Sequence, residues 1–479
     1  MKKPRFPFPF GTVHFIGIGG VGMSGIAEIM HTMGYKVQGS DVLENQNVTR
    51  LKSMGIKIFI GQQAENVTDA AIVVVSSAIK ADNPEVKEAE AKMIPIIHRS
   101  DMLAELMKMR WSIAVGGTHG KTTTTSMLSA ILSFAGKDPT VVNGGIINSY
   151  GTNARFGEGD WMVVEADESD GSFTVFPSTV AIITNIDPDH MNHYKDIGEL
   201  KDTFCHFANK VPFYGLACVC IDSPNVQEII PKISRPILTY GLNRQADISA
   251  LNIKAKKGDI AFDVAVKDRK SGDIEIIKDF HIPLYGEHNV KNALAAIGVA
   301  LQLNVDIADI KQALAGFSGV KRRFTTVAKV AGVTIIDDYA HHPVEIAAVL
   351  KGAQDVVKGK IIAVFQPHRY SRVQSLFTGF CTCFNDAETV IVTDIYTAGE
   401  EPLEGVNKES LAIGITKCGH RHVICLEDTE NLAELIAAEA EPGDFVIFLG
   451  AGNISSIAYS IPEKLEPLLK AKQEDKNVL

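Results

Sequence analysis

The amino-acid sequence predicts an α/β protein of three domains, and three observations carry that reading. Short runs of β-branched residues alternate with helical stretches. Those runs end in glycine, acidic or polar residues. The length, 479 residues, exceeds what one hydrophobic core accommodates.

The first domain, residues 1–109, opens with a strand predicted at 13–18, a glycine-rich turn and a helix at 23–33. Strands at 36–39, 71–76 and 94–97 continue a Rossmann-like parallel sheet. The second domain, residues 110–324, restarts with a strand at 112–115, a phosphate-binding loop (P-loop) and a helix at 122–134. Strands at 161–165 and 180–185 extend its parallel sheet. Alternating apolar and charged residues over 248–282 predict a small antiparallel sheet, and 288–303 returns to helix. The third domain, residues 325–479, carries strand runs at 333–337, 361–365, 390–393 and 445–449 in a second Rossmann-like arrangement. Beyond about residue 470 the chain is charged and expected to fray.

Bulk properties narrow the function. With 47 basic and 57 acidic residues the formal charge is −10, which argues against non-specific nucleic-acid binding. The apolar runs are too short to span a membrane, and the first ten residues, aromatic and interrupted by prolines, do not read as a signal peptide. Seven cysteines without paired CxxC spacing predict reduced, mostly buried thiols. Together these place the chain in the cytoplasm.

Two glycine motifs suit phosphate binding by different means, the alternative for each being a glycine-rich turn without a ligand. Gly17-Ile18-Gly19-Gly20-Val21-Gly22 follows a strand and opens a helix, so backbone can approach a diphosphate at a helix N-terminus. Asp41, 19 residues beyond Gly22 (41 − 22), stands where a ribose-binding acid belongs. The motif itself leaves NAD and a UDP-sugar equally open. Gly117-Thr118-His119-Gly120-Lys121-Thr122 adds a lysine and a hydroxyl. That combination points to ATP, with Lys121 on the terminal phosphates and Thr122 on Mg²⁺. Val115 stands where the general phosphate loop has a further glycine, so the loop is shortened at its N-terminal side.

Strand ends supply the other candidates. Glu165, opening Glu165-Ala166-Asp167-Glu168-Ser169-Asp170, suits a metal ligand, while the remaining acids are left unassigned. His190 in Asn185-Ile186-Asp187-Pro188-Asp189-His190 is a metal or substrate ligand, or a structural histidine. Asp337-Asp338-Tyr339-Ala340-His341-His342-Pro343 and Gln366-Pro367-His368-Arg369-Tyr370-Ser371-Arg372 place two arginines among histidines and tyrosines. Such a group recognises a carboxylate or phosphate, or forms a surface ion-pair cluster. A nicotinamide-dependent dehydrogenase explains the first glycine motif but not Lys121, Thr122 and Glu165. A nucleotide switch explains the second but not Arg369 and Arg372.

The order of these blocks resembles the Mur ligase family of peptidoglycan biosynthesis. Gly286-Glu287-His288-Asn289 and Lys321-Arg322-Arg323-Phe324 belong to the same pattern, which spans nearly the whole chain. The resemblance implies a UDP-sugar-binding first domain, an ATPase second domain and a third domain that closes over the site. It implies ATP and Mg²⁺, with UDP-N-acetylmuramate and L-alanine as substrates joined through an acyl phosphate. The alternative is addition of a preformed peptide to the same sugar in cell-wall recycling. ATP would meet Gly117, Thr118, His119, Gly120, Lys121, Thr122, Thr123, His288 and Asn292. The UDP-sugar would meet Gly19, Gly20, Gly22, Ser24, Asp41, Ser76, Ser77, Thr152 and Asn153. The amino acid would meet Tyr339, His341, His368, Arg369 and Arg372. Thr122, Glu165 and His190 would hold the metal, and Lys121, His190, Arg323 and His341 would carry catalysis. A monomer or weak homodimer is expected.

Overall fold

The computed structural model describes residues 6, 10–191, 193–256, 258–269 and 271–478. Of the N-terminal stretch read for a signal peptide, only Phe6 and Phe10 lie among the described residues. The chain divides into two compact units. One comprises Met1–Asn252, Phe262–Ile282 and Lys291–Val320; the other comprises Ile253–Ala261, Pro283–Val290 and Lys321–Leu479.

The first sheet is built from β1 (Thr12–Ile16), β2 (Val37–Asp41), β3 (Lys57–Ile60), β4 (Ala70–Val75) and β5 (Ile96–His98), in the order β3-β2-β1-β4-β5. Every pairing is parallel. The helix Val21–Thr32 covers it by burying Met23, Ile26, Ala27 and Met30, the spacing of one helical face. On that helix Gly25 is a point of close approach, because a Cβ there would stand 2.8 Å from Ala154 Cβ and 3.1 Å from Asn153 Nδ2. Alanine gains up to ~1 kcal/mol of helix propensity over glycine, whereas overpacking costs ~1–3 kcal/mol. Gly25→Ala is therefore expected to lower the denaturation midpoint. A neutral or stabilised variant would refute the close packing.

The second sheet contains β6 (Trp111–Gly116), β7 (Thr140–Ile147), β8 (Thr152–Arg155), β9 (Trp161–Glu165), β10 (Val180–Ile183), β11 (Leu216–Cys220), β12 (Ile237–Gly241), β13 (Ile248–Lys256), β14 (Asp259–Lys267) and β15 (Ile274–Ile282). Their order is β15-β14-β13-β12-β11-β10-β6-β9-β7-β8. The predicted small sheet over 248–282 is thus continuous with the parallel one, joined where β13 pairs with β12. The β7–β8 pair is antiparallel, so the sheet is mixed.

The third sheet contains β16 (Thr325–Val330), β17 (Val333–Asp338), β18 (Ile361–Phe365), β19 (Thr389–Val392), β20 (Val423–Cys425) and β21 (Phe445–Leu449), in the order β16-β17-β21-β18-β19-β20. All pairings are parallel except β16 with β17. β17 and β18 are buried throughout and β21 nearly so, as expected of continuous apolar runs covered on both faces.

The tail differs from the expected fraying. A helix runs over Ile454–Val478. Its apolar stripe, including Ile461, Leu465 and Leu469, is buried against the third sheet. Lys472 Nζ then donates to the carbonyls of Ala437, Ala438 and Ala440, capping the C-terminal end of another helix. Charge was a poor guide because this lysine is spent on carbonyls. The cysteines are all unpaired, five of them buried, and no described helix is long and apolar enough to cross a membrane.

Candidate active site

β6 lies between β10 and β9, and the phosphate-loop motif leaves its carboxyl end. Gly117 (φ +128°) and Gly120 (φ +82°) occupy backbone conformations that favour glycine. A Cβ on Gly117 would also stand 2.0 Å from Thr184 Oγ1. Residues beyond β10 pin the loop. Asn185 Oδ1 accepts the His119 N–H at 2.8 Å, and the Thr184 hydroxyl donates to the His119 carbonyl at 2.6 Å. Asn292 faces the loop too, its Oδ1 lying 2.4 Å from a Cβ placed on Gly120. His288 Nε2 lies 3.1 Å from the Asn289 side-chain amide.

Lys121 begins the helix Lys121–Phe134 and folds back over the loop. Its Nζ donates to Gly117 O (2.7 Å), Thr118 O (3.2 Å) and both oxygens of Glu168 (2.7 and 3.0 Å). Burial opposes the charge on Lys121, but Glu168, Asp167 and Glu165 outweigh it and hold the ammonium above its ordinary pKa. The Glu168 side chain is 1% exposed. Burial pushes its carboxyl up to about 7, with Asp167 adding and Lys121 opposing. Asp167 and Glu165 beside the Lys121–Glu168 pair leave an excess of negative charge.

The residues assigned to Mg²⁺ fit that excess. Glu165, at the tip of β9, accepts the Gly144 N–H at 2.7 Å, and Thr122 Cγ2 lies 3.0 Å from a Cβ placed on neighbouring Gly145. A hydroxyl and carboxylates are hard oxygen donors suited to Mg²⁺, which takes few protein ligands and fills its shell from phosphate and water. His190 adopts φ +57°, with Nε2 3.6 Å from Asp189 and 3.9 Å from Glu168. Thr123 is buried in the same helical turn.

The N-terminal glycine turn leaves β1 beside β4, where the chain's direction across the sheet reverses. Gly17 and Ile18 N–H groups donate to Ser40 O, and Gly19 N–H donates to Asp41 Oδ2 at 2.8 Å. Asp41 thus braces the turn itself. Gly20 caps the helix and Gly22 lies within its first turn. The Ser24 hydroxyl and Asn153 amide both donate to Val21 O, and Thr152 reaches Glu28 at 3.4 Å. These three side chains act as struts in the structure. Ser76 and Ser77 follow β4, and Ile79 from the same loop lies 3.5 Å from a Cβ placed on Gly17.

The third sheet gathers a second cluster at its carboxyl edge, where β21 lies between β17 and β18. Asp338 accepts the N–H groups of Phe324 and Ala340, each at 2.7 Å, tying the segment around Arg323 to the loop bearing Tyr339 and His341. Arg322 and Arg323 lie over the Tyr339 ring, at 4.8 and 5.4 Å. The rings of His341 and His368 are 5.9 Å apart, and Arg372 Nη1 lies 3.3 Å from His368 Nδ1. Burial, then the charges of His341, Arg372, Arg369 and Arg322, press His368 down to about 3, so its imidazole is neutral at pH 7. Arg369 carries a buried Nε without a hydrogen-bond partner and the strained φ of +68°. A cationic, partly dehydrated surface of this kind suits a carboxylate or phosphate.

Profiles of one family match successive parts of the chain: the "Mur ligase family, catalytic domain" over residues 12–111, the "Mur ligase middle domain" over 115–300 and the "Mur ligase, glutamate ligase domain" over 322–452. The UDP-N-acetylmuramate–L-alanine ligase of Paramagnetospirillum magneticum is 56% identical over 96% of each chain. That of Rhodospirillum rubrum is 54% identical over the same shares. The chain belongs to the Mur ligase family. Among solved structures, the UDP-N-acetylmuramate–alanine ligase of Thermotoga maritima shares 28% identity with this Mur ligase, with TM-score 0.79 over 95% of this chain and 99% of that one. A murein peptide ligase from Psychrobacter arcticus, 23% identical with TM-score 0.67 over 96% and 98%, shares the fold.

Four residues of this Mur ligase join the clusters without having been singled out in the sequence. Glu168 holds Lys121. Arg99 stands 3.0 Å from a Cβ placed on Gly22. Tyr396 stacks on His368, with centroids 5.4 Å apart and planes at 14°. Glu345 contacts His341. Only Glu345 carried a local signal, three residues beyond a helix-capping position followed by proline.

Proposed function

We propose that this chain joins L-alanine to the lactyl carboxylate of UDP-N-acetylmuramate, consuming ATP and giving ADP and phosphate. The observation that carries the reading is the Lys121 loop, set in a chain 53–56% identical over 96% of its length to relatives named for that reaction. The domain bounds 1–109, 110–324 and 325–479 belong to the same proposal. So do a cytoplasmic location and a monomer or weak homodimer.

A carboxylate does not accept an amine directly, because oxide is too poor a leaving group. Transfer of a phosphoryl group to the lactyl carboxylate makes an acyl phosphate, whose phosphate departs when the amine attacks. The Gly120 turn presents the N-terminus of the helix Lys121–Phe134 to phosphate oxygens, and the Lys121 ammonium neutralises charge that accumulates during transfer. Mg²⁺, held by Thr122 and Glu165 with His190 nearby, would supply Lewis-acid neutralisation of the same oxygens. Asn292 and His288 serve the nucleotide. The N-terminal glycines, with Asp41 bracing them, hold the UDP diphosphate; Ser24, Ser76, Ser77, Thr152 and Asn153 complete that surface. Arg323, Arg369 and Arg372 receive carboxylate and phosphate charge, while Tyr339, His341 and His368 frame the amino acid.

Amide formation measured with L-alanine, glycine, L-serine and a preformed tripeptide tests the substrate. L-Alanine is expected to give the highest kcat/KM. Preference for the tripeptide would overturn the proposal in favour of a recycling ligase.

A further inference from the structure

We propose that Glu345 is a positioning residue for amide formation: it fixes His341 in the tautomer whose Nε2 takes a proton from the incoming amine, while Arg372 fixes His368 in the opposite tautomer as a hydrogen-bond donor. This rests on the ligase reading above and divides the labour between two histidines that look equivalent in sequence.

The hydrogen bonds decide the tautomers. His341 Nδ1 lies 2.9 Å from the Tyr339 carbonyl and 3.3 Å from Glu345 Oε2. A carbonyl and a carboxylate only accept, so Nδ1 carries a hydrogen and, once the ring is neutral, the lone pair is on Nε2. His368 is the reverse. Its Nδ1 faces Arg372 Nη1 at 3.3 Å, and guanidinium only donates, so Nδ1 accepts and Nε2 carries the hydrogen. Stacking on Tyr396 holds the His368 ring in that orientation, and its depressed pKa agrees with a neutral donor.

Glu345 is preorganised for its task. Its Oε2 accepts the N–H groups of His341 (3.1 Å) and His342 (3.3 Å), closing a capping box on the helix Pro343–Gln354. The Glu345 and His341 side chains are only 12% and 16% exposed. A carboxylate behind a histidine orients the ring and stabilises the imidazolium, as in other base–carboxylate pairs.

The step balances as follows. Alanine arrives as an ammonium and loses one proton to His341 Nε2, which frees the nitrogen lone pair. That pair forms the C–N bond at the acyl carbon, the C–O bond to phosphate breaks, and phosphate leaves with the bonding electrons. The second nitrogen proton passes to solvent as the intermediate collapses. The imidazolium of His341, held by Glu345, then returns its proton to solvent.

Hydroxylamine tests this without relying on a simple loss of activity, because it is already neutral near pH 7 and needs no base. With UDP-N-acetylmuramate and ATP present, His341→Ala is expected to lower alanine amide formation on the order of 10²-fold more than it lowers hydroxamate formation. Glu345→Gln keeps an acceptor for the helix cap and is expected to lose about tenfold more with alanine than with hydroxylamine. If His341→Ala loses both activities equally, His341 is not the base and the proposal falls. If only Glu345→Gln fails to separate them, the role of Glu345 falls and His341 stands. A wild-type chain forming no alanine amide would overturn the ligase reading as well. Nitrogen NMR of the histidine-labelled wild type provides a readout independent of variant folding. Protonated Nδ1 at His341 and protonated Nε2 at His368 are expected, and either tautomer reversed would refute the division.

Discussion

Lys121→Ala is expected to lower ADP release by at least about 10³-fold, since a single preorganised donor on developing charge is typically worth 10²–10³-fold and this one also carries a full charge. The same substitution acts on stability. Lys121 is the ammonium against the buried carboxylate of Glu168, at 2.7 Å. Stranding one partner of a buried pair costs ~3–5 kcal/mol while that partner stays charged. Glu168, already pushed up to about 7 by burial, can escape part of this cost by taking a proton. Its pKa rises further without Lys121, so the folded variant holds a proton that the unfolded chain releases, and its stability falls as pH rises through neutrality. Chemical denaturation at pH 6 and pH 8 checks the sign, and steady-state ADP release checks the chemistry. Turnover within tenfold of wild type would remove Lys121 from the mechanism.

Asp338 is expected to have the second-largest effect. It is 3% exposed and holds two backbone N–H groups at 2.7 Å. One belongs to Phe324, which has positive φ (+49°), as does Arg322 (+61°). Such non-glycine conformations persist only when their surroundings hold them. Asp338→Ala strands two buried donors at ~1–3 kcal/mol each. It also frees the segments bearing Arg323 and His341, so kcat is expected to fall by roughly 10²-fold through misplacement alone. Retained kcat would show that Asp338 does not position them.

Asp338 also makes a pH prediction. Burial pushes its carboxyl up to about 6, against the pull of Arg323. Between about pH 4 and 6 the folded chain therefore holds a proton that the unfolded chain has lost. The sign is that of a raised acid: stability from this group is greatest below about pH 4 and declines by roughly 3 kcal/mol on passing through pH 6. Comparison with Asp338→Asn, which cannot titrate, isolates the effect. A difference in unfolding free energy that is flat from pH 4 to 7 would contradict it.

Much of the fold was legible because its strands are continuous apolar runs with clear ends. The runs at 161–165, 361–365 and 445–449 coincide with β9, β18 and β21. The β7–β8 hairpin was missed because Asn143, Gly144 and Gly145 interrupt its β-branched run, and glycine and asparagine are weak strand formers. The edge strand β16 was missed as well, being only partly buried.

The candidate site was legible where chemistry lies within one loop. Strand, glycines, lysine and helix announce the phosphate loop without tertiary information. Glu168 could not be told from its acidic neighbours, because which side chain turns inward depends on packing. Tyr396 is carried to His368 by the pairing of β19 with β18, a long-range contact with no local trace. The opposed tautomers of His341 and His368 likewise depend on which groups the fold sets beside each nitrogen.

ADP release with UDP-N-acetylmuramate and L-alanine supplied separately and together tests the central claim most directly. The ligase account predicts steady release only when ATP, sugar nucleotide and L-alanine are all present, with one amide formed for each ADP. Equal release with either substrate omitted, or release without amide, would contradict it.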